Sequence, residues 1–225
     1  LFAFSGPVLP GRSKPVLRTA PLPVDPRPGC VMLGRPAESG FYGIARASPG
    51  RIDGMKLTDV LPVEDWAELE REIHEASGMR PRVYDVEGVG VTDQSVFGNE
   101  LCARIQSIPK AQTFICAVAH NNMAVMARNT RRPVVEECDA GMVKIVVPVF
   151  VGDEFVGAAG ACGKLAEGGE VDAFMINRSS DIPEEEVEAL AADVPSAPWS
   201  EMEALAAFIQ DRLNGKLRGS ERGKD

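Results

Sequence analysis

Residues 134–163 read VVEECDAGMVKIVVPVFVGDEFVGAAGACG, and this stretch decides the fold class. Three apolar runs, 134–138, 142–151 and 154–162, are rich in β-branched or small residues. Only residues 139–141 and 152–153 separate them. Connections this short join antiparallel neighbours, because a parallel crossover needs a dozen residues or more. The stretch therefore predicts an antiparallel three-strand meander. Asp139-Ala-Gly141 and Gly152-Asp153 supply its turns.

The pattern upstream changes period. Pro62 opens VEDWAELEREIHEASG, in which Trp66, Leu69, Ile73 and Ala76 recur at helical spacing and Gly78 is a stop signal. Residues 58–61 read as a docking segment before this helix. Residues 82–85 and 89–92 read as two short strands around a Glu87-Gly88 turn. Residues 99–105 predict a short helix. Pro109 then stands at the start of a long apolar helix over 110–129. Downstream, EVDAFMINR predicts a further strand. A helix follows Ser180-Asp-Ile-Pro, with acidic residues in its first turn. Residues 199–213 form a last amphipathic helix, with Met202, Leu205, Phe208, Ile209 and Leu213 on one stripe. The order is helix, two strands, helices, three strands, then C-terminal helices. It predicts an α+β domain of PAS/GAF-like form, a central antiparallel sheet with flanking helices.

Composition narrows the function classes. The 225-residue chain is 44% apolar and 25% charged, with a formal net charge of −9. A broad nucleic-acid footprint needs a basic face, so a nucleic-acid partner is not expected. No apolar run reaches the roughly 18 residues needed to cross a bilayer, so neither is a membrane. The opening LFAFSGPVLPGRSK lacks a basic segment ahead of its apolar stretch, and a cytoplasmic location is expected. Residues 1–54 hold nine of the seventeen prolines and no helical period. They are expected to be an irregular leader, since such a stretch buries too little apolar surface to offset its ordering entropy. Met55 directly before the first patterned segment suggests a start site upstream of the native one, which N-terminal sequencing of the native protein tests. The organisation expected is a leader over 1–54, a domain over 55–178 and a helical extension over 179–225.

The chemistry-bearing residues concentrate in 99–163, with four of five cysteines and one of two histidines. Cys116 and His120 stand at i, i+4, which puts both on one face of a regular helix. Cys102, Cys116, His120 and Cys138 form a candidate Cys3His set suited to zinc or iron. Such a site needs the sulfurs within roughly 4 Å of one another around a shared centre. That geometry requires the long helix to cross near the 139–141 turn, with Cys102 entering from the short helix before it. Cys162 is expected outside the set, facing the core from the third strand. The competing reading makes these thiols buried hydrophobes or the lining of an organic pocket, since free cysteine is among the most buried residue types. Asp139, turned inward, could accept a hydrogen bond from a hydroxylated ligand. Asn121, in an apolar helix, could face a ligand. Lys144 could pair with Asp139 or Glu137. A Cys116–His120 thiolate–imidazolium pair is an incomplete catalytic constellation, because no oxyanion donor accompanies it. An enzyme is therefore the less expected class.

Three stretches carry a family resemblance: LTDVLPVEDWAELEREIHEASGM, NELCARIQSIPKAQTFICAVAH and PVVEECDAGMVKIVVPVFVGDEFVGAAGACG. With a cysteine on each middle helix and a Cys-x-Ala-Gly-Met turn before a Val-Pro-Val strand, residues 57–165 resemble the PocR sensory domain. Asp139 stands where that family often has histidine. The resemblance implies a PAS-like fold and the sensing of simple hydrocarbon derivatives such as short diols. Cys102, Cys116, His120, Asn121, Cys138 and Asp139 are the candidate ligand residues. Members of that family usually join this domain to a DNA-binding or kinase module; neither is evident here, so a stand-alone sensory domain is expected, with a homodimer or a signalling partner protein as the candidate partner. The alternative function is a metal- or redox-responsive protein or enzyme built on the Cys3His set.

Overall fold

The computed structural model describes residues 54–222. Residues 1–53 of the expected leader lie outside the described residues. The elements are α1 (Leu57–Val60), α2 (Val63–Ser77), β1 (Arg80–Asp85), α3 (Glu100–Gln106), α4 (Pro109–Ala111), a π-helical turn (Gln112–Ala117) and α5 (Val118–Thr130). Then follow β2 (Val134–Glu137), β3 (Val143–Val151), β4 (Glu154–Ala166), α6 (Ala173–Ser180), α7 (Glu184–Ala191), β5 (Ser196–Ala197) and α8 (Trp199–Arg222). The expected meander is present: β2, β3 and β4 pair antiparallel in sequence order. β1 adds antiparallel to the outer side of β4, giving the order β1-β4-β3-β2, and the two-residue β5 runs parallel to the end of β4. This is the α+β, PAS-like arrangement.

Strand alternation sorts the sheet residues onto two faces. Val83, Ile145, Val147, Ala159 and Ala161 point to one face, where Trp66, Leu69 and Ile73 of α2 and Met202, Ile209 and Leu213 of α8 cover them. A fully buried side chain of this kind contributes about 1.5–3 kcal/mol. The Trp66 indole N–H donates to the Leu57 carbonyl at 3.0 Å, so α1 is fastened to α2. Glu70 is fully buried on α2 and accepts from the Val83 N–H at 2.7 Å and from the Thr92 hydroxyl. Burial raises its carboxyl above the usual range, and those two hydrogen bonds work against the rise.

The other face splits in two. Val134, Val146 and Ala158 lie under Met123 and Ala127 of α5. Leu101, Ile105, Ile115, Met142, Ile176 and Ile182 form a further core that joins α3, the π-helical turn and α6 to the start of the meander.

Three expectations are corrected. Residues 89–92 are not a strand; only the single bridge Tyr84–Gly90 forms. The Asp85 carboxylate takes the N–H groups of Glu87 and Val89, and Thr92 turns in to Glu70, so the second hairpin arm leaves the sheet. The segment after Glu170 is the helix α6 and not a strand, because Asp172 caps it by accepting from the Met175 N–H at 2.8 Å. The long helix is not uniformly α: its first part is the π-helical turn.

Candidate ligand site behind the sheet

Two small cavities lie between the second sheet face and the helices. The larger, about 30 Å³, is lined by Cys102, Ile105, Gln106, Ile115, Cys116, Cys138, Ala140, Met142, Cys162 and Gly163, with Arg80 and Lys144. The smaller, about 10 Å³, is lined by His120, Tyr84, Arg82 and again Arg80, Lys144 and Cys162. Three side chains are thus shared. The larger space holds a water or two, for which 10–15 Å³ each suffices. A small organic molecule enters only if a wall moves.

Each wall is positioned by local chemistry. Asn99 caps α3 by accepting from the Cys102 N–H at 2.7 Å, and its amide donates to the Gly163 carbonyl at 2.6 Å. One side chain thereby ties the helix that bears Cys102 to β4. Gly163 sits at φ 111°, a conformation that L side chains rarely adopt; a Cβ there would meet the Asn99 amide at 3.2 Å. The Cys102 thiol donates to the Met142 sulfur at 3.5 Å. Cys138 enters at the turn closed by Gly141 N–H to Cys138 C=O and Cys138 N–H to Met142 C=O, both 2.8 Å. Ile115 and Cys116 project from the π-helical turn. π-turns insert a residue and weaken the local ladder, and they recur at functional sites.

Arg80, Lys144 and Cys162 come from one row of the sheet. Arg80 pairs in register with Cys162, and Cys162 with Lys144. This corrects the expected place of Cys162: it does not enter the α2–α8 core, because its neighbours Ala161 and Ala159 take that face and alternation turns Cys162 to the other. It lines the same cavity as Cys102, Cys116 and Cys138.

The expected metal set is not assembled. Among the described residues no group of three or more His, Cys, Asp or Glu side chains is placed to hold a metal ion. His120 lines the smaller cavity, and its ring packs against Tyr84 at 4.0 Å between centroids. The π-helical turn ends at Ala117, between Cys116 and His120, and breaks the regular period that would have put the two side chains together. Asn121 and Asp139 are exposed and line neither cavity. Lys144 does not pair with Asp139 or Glu137: both acids are exposed, and Lys144 is 6% exposed and turned inward. Arg80, 9% exposed, went unnoticed in the sequence. Its only signal there was a cation at the start of a strand with the Arg82-x-Tyr84 parity.

The electrostatics follow from burial. Burial pushes the Cys116 thiol up to about 11, with the neighbouring Cys162 adding to it. It likewise raises Cys102 and Cys138. These three are neutral thiols at pH 7, not nucleophiles. Burial, helped by the charge on Lys144, pushes His120 down to about 3, so its ring is neutral. Burial opposes the charge on Lys144; the groups around it, Cys162, Tyr84, Cys116 and Cys138, favour that charge only where they are themselves ionised.

The family model described as the sensory domain found in PocR matches residues 59–215. No curated protein and no solved structure matches the chain.

Proposed function

This chain belongs to the PocR sensory-domain family, and we propose that the molecule it senses is a simple hydrocarbon derivative held in the cavity behind the sheet. It is a ligand-sensing domain, and a small-molecule ligand is implied. The observation that carries the reading is the cavity itself, whose apolar and thiol lining (Cys102, Ile105, Ile115, Cys116, Met142) converges on a few polar groups (Arg80, Lys144, Gln106). Small-ligand sites have this composition. Short diols are the members of that class that the family resemblance implies. Entry requires the wall to yield, and the π-helical turn is the irregular part of that wall. That movement is the natural signal, to be passed to a second copy or a partner protein. The protein acts in the cytoplasm on this reading; among the described residues no helix is long and apolar enough to cross a membrane.

Thermal-shift screening of the full chain against short diols, aldehydes and organic acids tests the proposal. A ligand at 100 times its Kd adds about 2.7 kcal/mol to the folded state. In a domain of this size that raises Tm by several degrees. If no member of the three classes raises Tm at millimolar concentration, the sensing site is elsewhere.

A further inference from the structure

Lys144 and Arg80 bring two basic side chains into the cavity region, and among the described residues no acid forms an ion pair with either. No carboxylate lines either cavity. Neither cation takes part in an ion pair among the described residues. Arg80 Nε is buried with no hydrogen-bond partner, and its guanidinium rests 4.9 Å from the centroid of the Phe97 ring. The Lys144 amine is 5.7 Å from the centroid of the Tyr84 ring. Aromatic faces compensate a buried cation only in part. Two acids could have served and do not. Glu70 is near enough for Arg82 and Arg80 to lower it, but its oxygens are taken by the Val83 N–H and the Thr92 hydroxyl. Glu136 is the register partner of Lys144 on the edge strand, yet it is exposed and outside the lining. Three of the surrounding cysteines are neutral thiols at pH 7 and bring no charge. A buried guanidinium stays charged and without a counter-charge costs several kcal/mol, and the buried Lys144 amine in the same lining keeps its proton only with an anion to pair with, so the two together suit an anion supplied from outside.

We propose that the sensed ligand is a short carboxylate of about two to four carbons, its head held by Lys144 and Arg80 and its tail lying among Ile105, Ile115 and Met142. This rests on the sensor reading and narrows its ligand class. The lining combines two basic side chains with aliphatic ones, which suits an amphiphile better than a diol. The cavity of about 30 Å³ is smaller than any such ligand, so its wall must yield, and a short tail asks least of it.

The test compares propionate with its neutral counterparts propionamide and propane-1,2-diol, and with sulfate, on the full chain at constant ionic strength. Calorimetry and thermal shift supply the readout. Propionate is expected to bind and raise Tm, propionamide to bind at least about tenfold more weakly, and sulfate to have no specific effect. Lys144→Met removes a buried charge and keeps the aliphatic stem, and it should weaken propionate by about tenfold or more. Glu136→Gln should leave the response unchanged. If Lys144→Met does not fold, Arg80→Met is read in its place, and the wild-type comparison of propionate with propionamide stands without either. Equal binding of propionate and propionamide, or propionate binding kept in the folded Lys144→Met variant, overturns the proposal. Sulfate matching propionate also overturns it, since the site would then be a generic anion hole. Binding of the diol alone overturns the carboxylate and leaves the sensor reading standing. Binding of none of the probes overturns the carboxylate and counts against the sensor reading as well.

Discussion

Asn99 and His120 show how single side chains hold the site together. Asn99 both caps α3 and bridges to the Gly163 carbonyl. Asn99→Ala removes both bonds and is expected to cost about 1–2 kcal/mol, read as a lower urea midpoint at unchanged slope. A midpoint within error of wild type would mean that water replaces the amide. His120 is neutral in the fold because burial and Lys144 push it down to about 3, against about 6.5 in an unfolded chain. Its folded value is the lower one. The stabilisation is therefore complete above pH 6.5 and is lost as pH falls toward 3, because the unfolded chain takes up the proton first. The slope is about 1.4 kcal/mol per pH unit at most. His120→Phe keeps a ring against Tyr84 and removes the titration. Between pH 7 and pH 4.5 wild type should lose about 2–3 kcal/mol more than the variant in urea unfolding. Equal losses would show that His120 is solvated or protonated in the fold.

At the scale of elements, the π-helical turn is the decisive one. Its sequence, QTFICA, has no mark that separates it from the α-helix that follows, and residues 110–129 read as one continuous helix. The turn exists because packing on both sides fixes the register. Ile115 must enter the core with Ile105 and Met142, while His120 and Met123 must face the sheet under α5, and one regular helix does not serve both. Deleting the exposed Thr113 is expected to restore continuous α-helix and leave far-UV circular dichroism intact. It should also slow the labelling of Cys116 by a thiol reagent relative to Cys102, read by peptide mass spectrometry. Labelling of Cys116 at the wild-type rate in the folded deletion variant would remove the turn from any role in opening the cavity. The strand elements were far more legible. Residues 143–151 are apolar at almost every position, and the turns on either side of β3 bear glycines at φ 82° and 59°.

At the scale of the whole molecule, α8 closes the sheet face opposite the cavity. Met202, Ile209 and Leu213 are all but fully buried against α2 and the sheet, and Lys216 reaches Glu68 at 2.7 Å. Exposed ion pairs contribute little, so the apolar seam dominates this docking. A chain ending at Pro198 would expose that seam. It is expected to lose its cooperative urea transition and to bind a hydrophobic dye, even though the meander remains complete. Cooperative unfolding of the truncated chain at wild-type stability would make α8 a separate attachment. The family match runs through residue 215, within α8.

The sequence alone determined what is local and periodic: the antiparallel meander, the α2 stripe, the C-terminal amphipathic stripe and the α+β class. Hydrophobic period and turn chemistry act over a few residues, so a linear reading captures them. It also placed Cys102, Cys116 and Cys138 around one space, and they line one cavity. Tertiary structure alone decided which groups share that space. The parity of β4 turned Cys162 in, the register of β1 with β4 brought Arg80 beside it, and the π-helical turn parted His120 from Cys116. Lys144 looked from its sequence like a residue awaiting Glu137 or Asp139. Only the sheet, by covering it while leaving both acids in water, made it a buried cation. Such a charge is defined by what lies across from it, and that is set by contacts between residues distant in the chain.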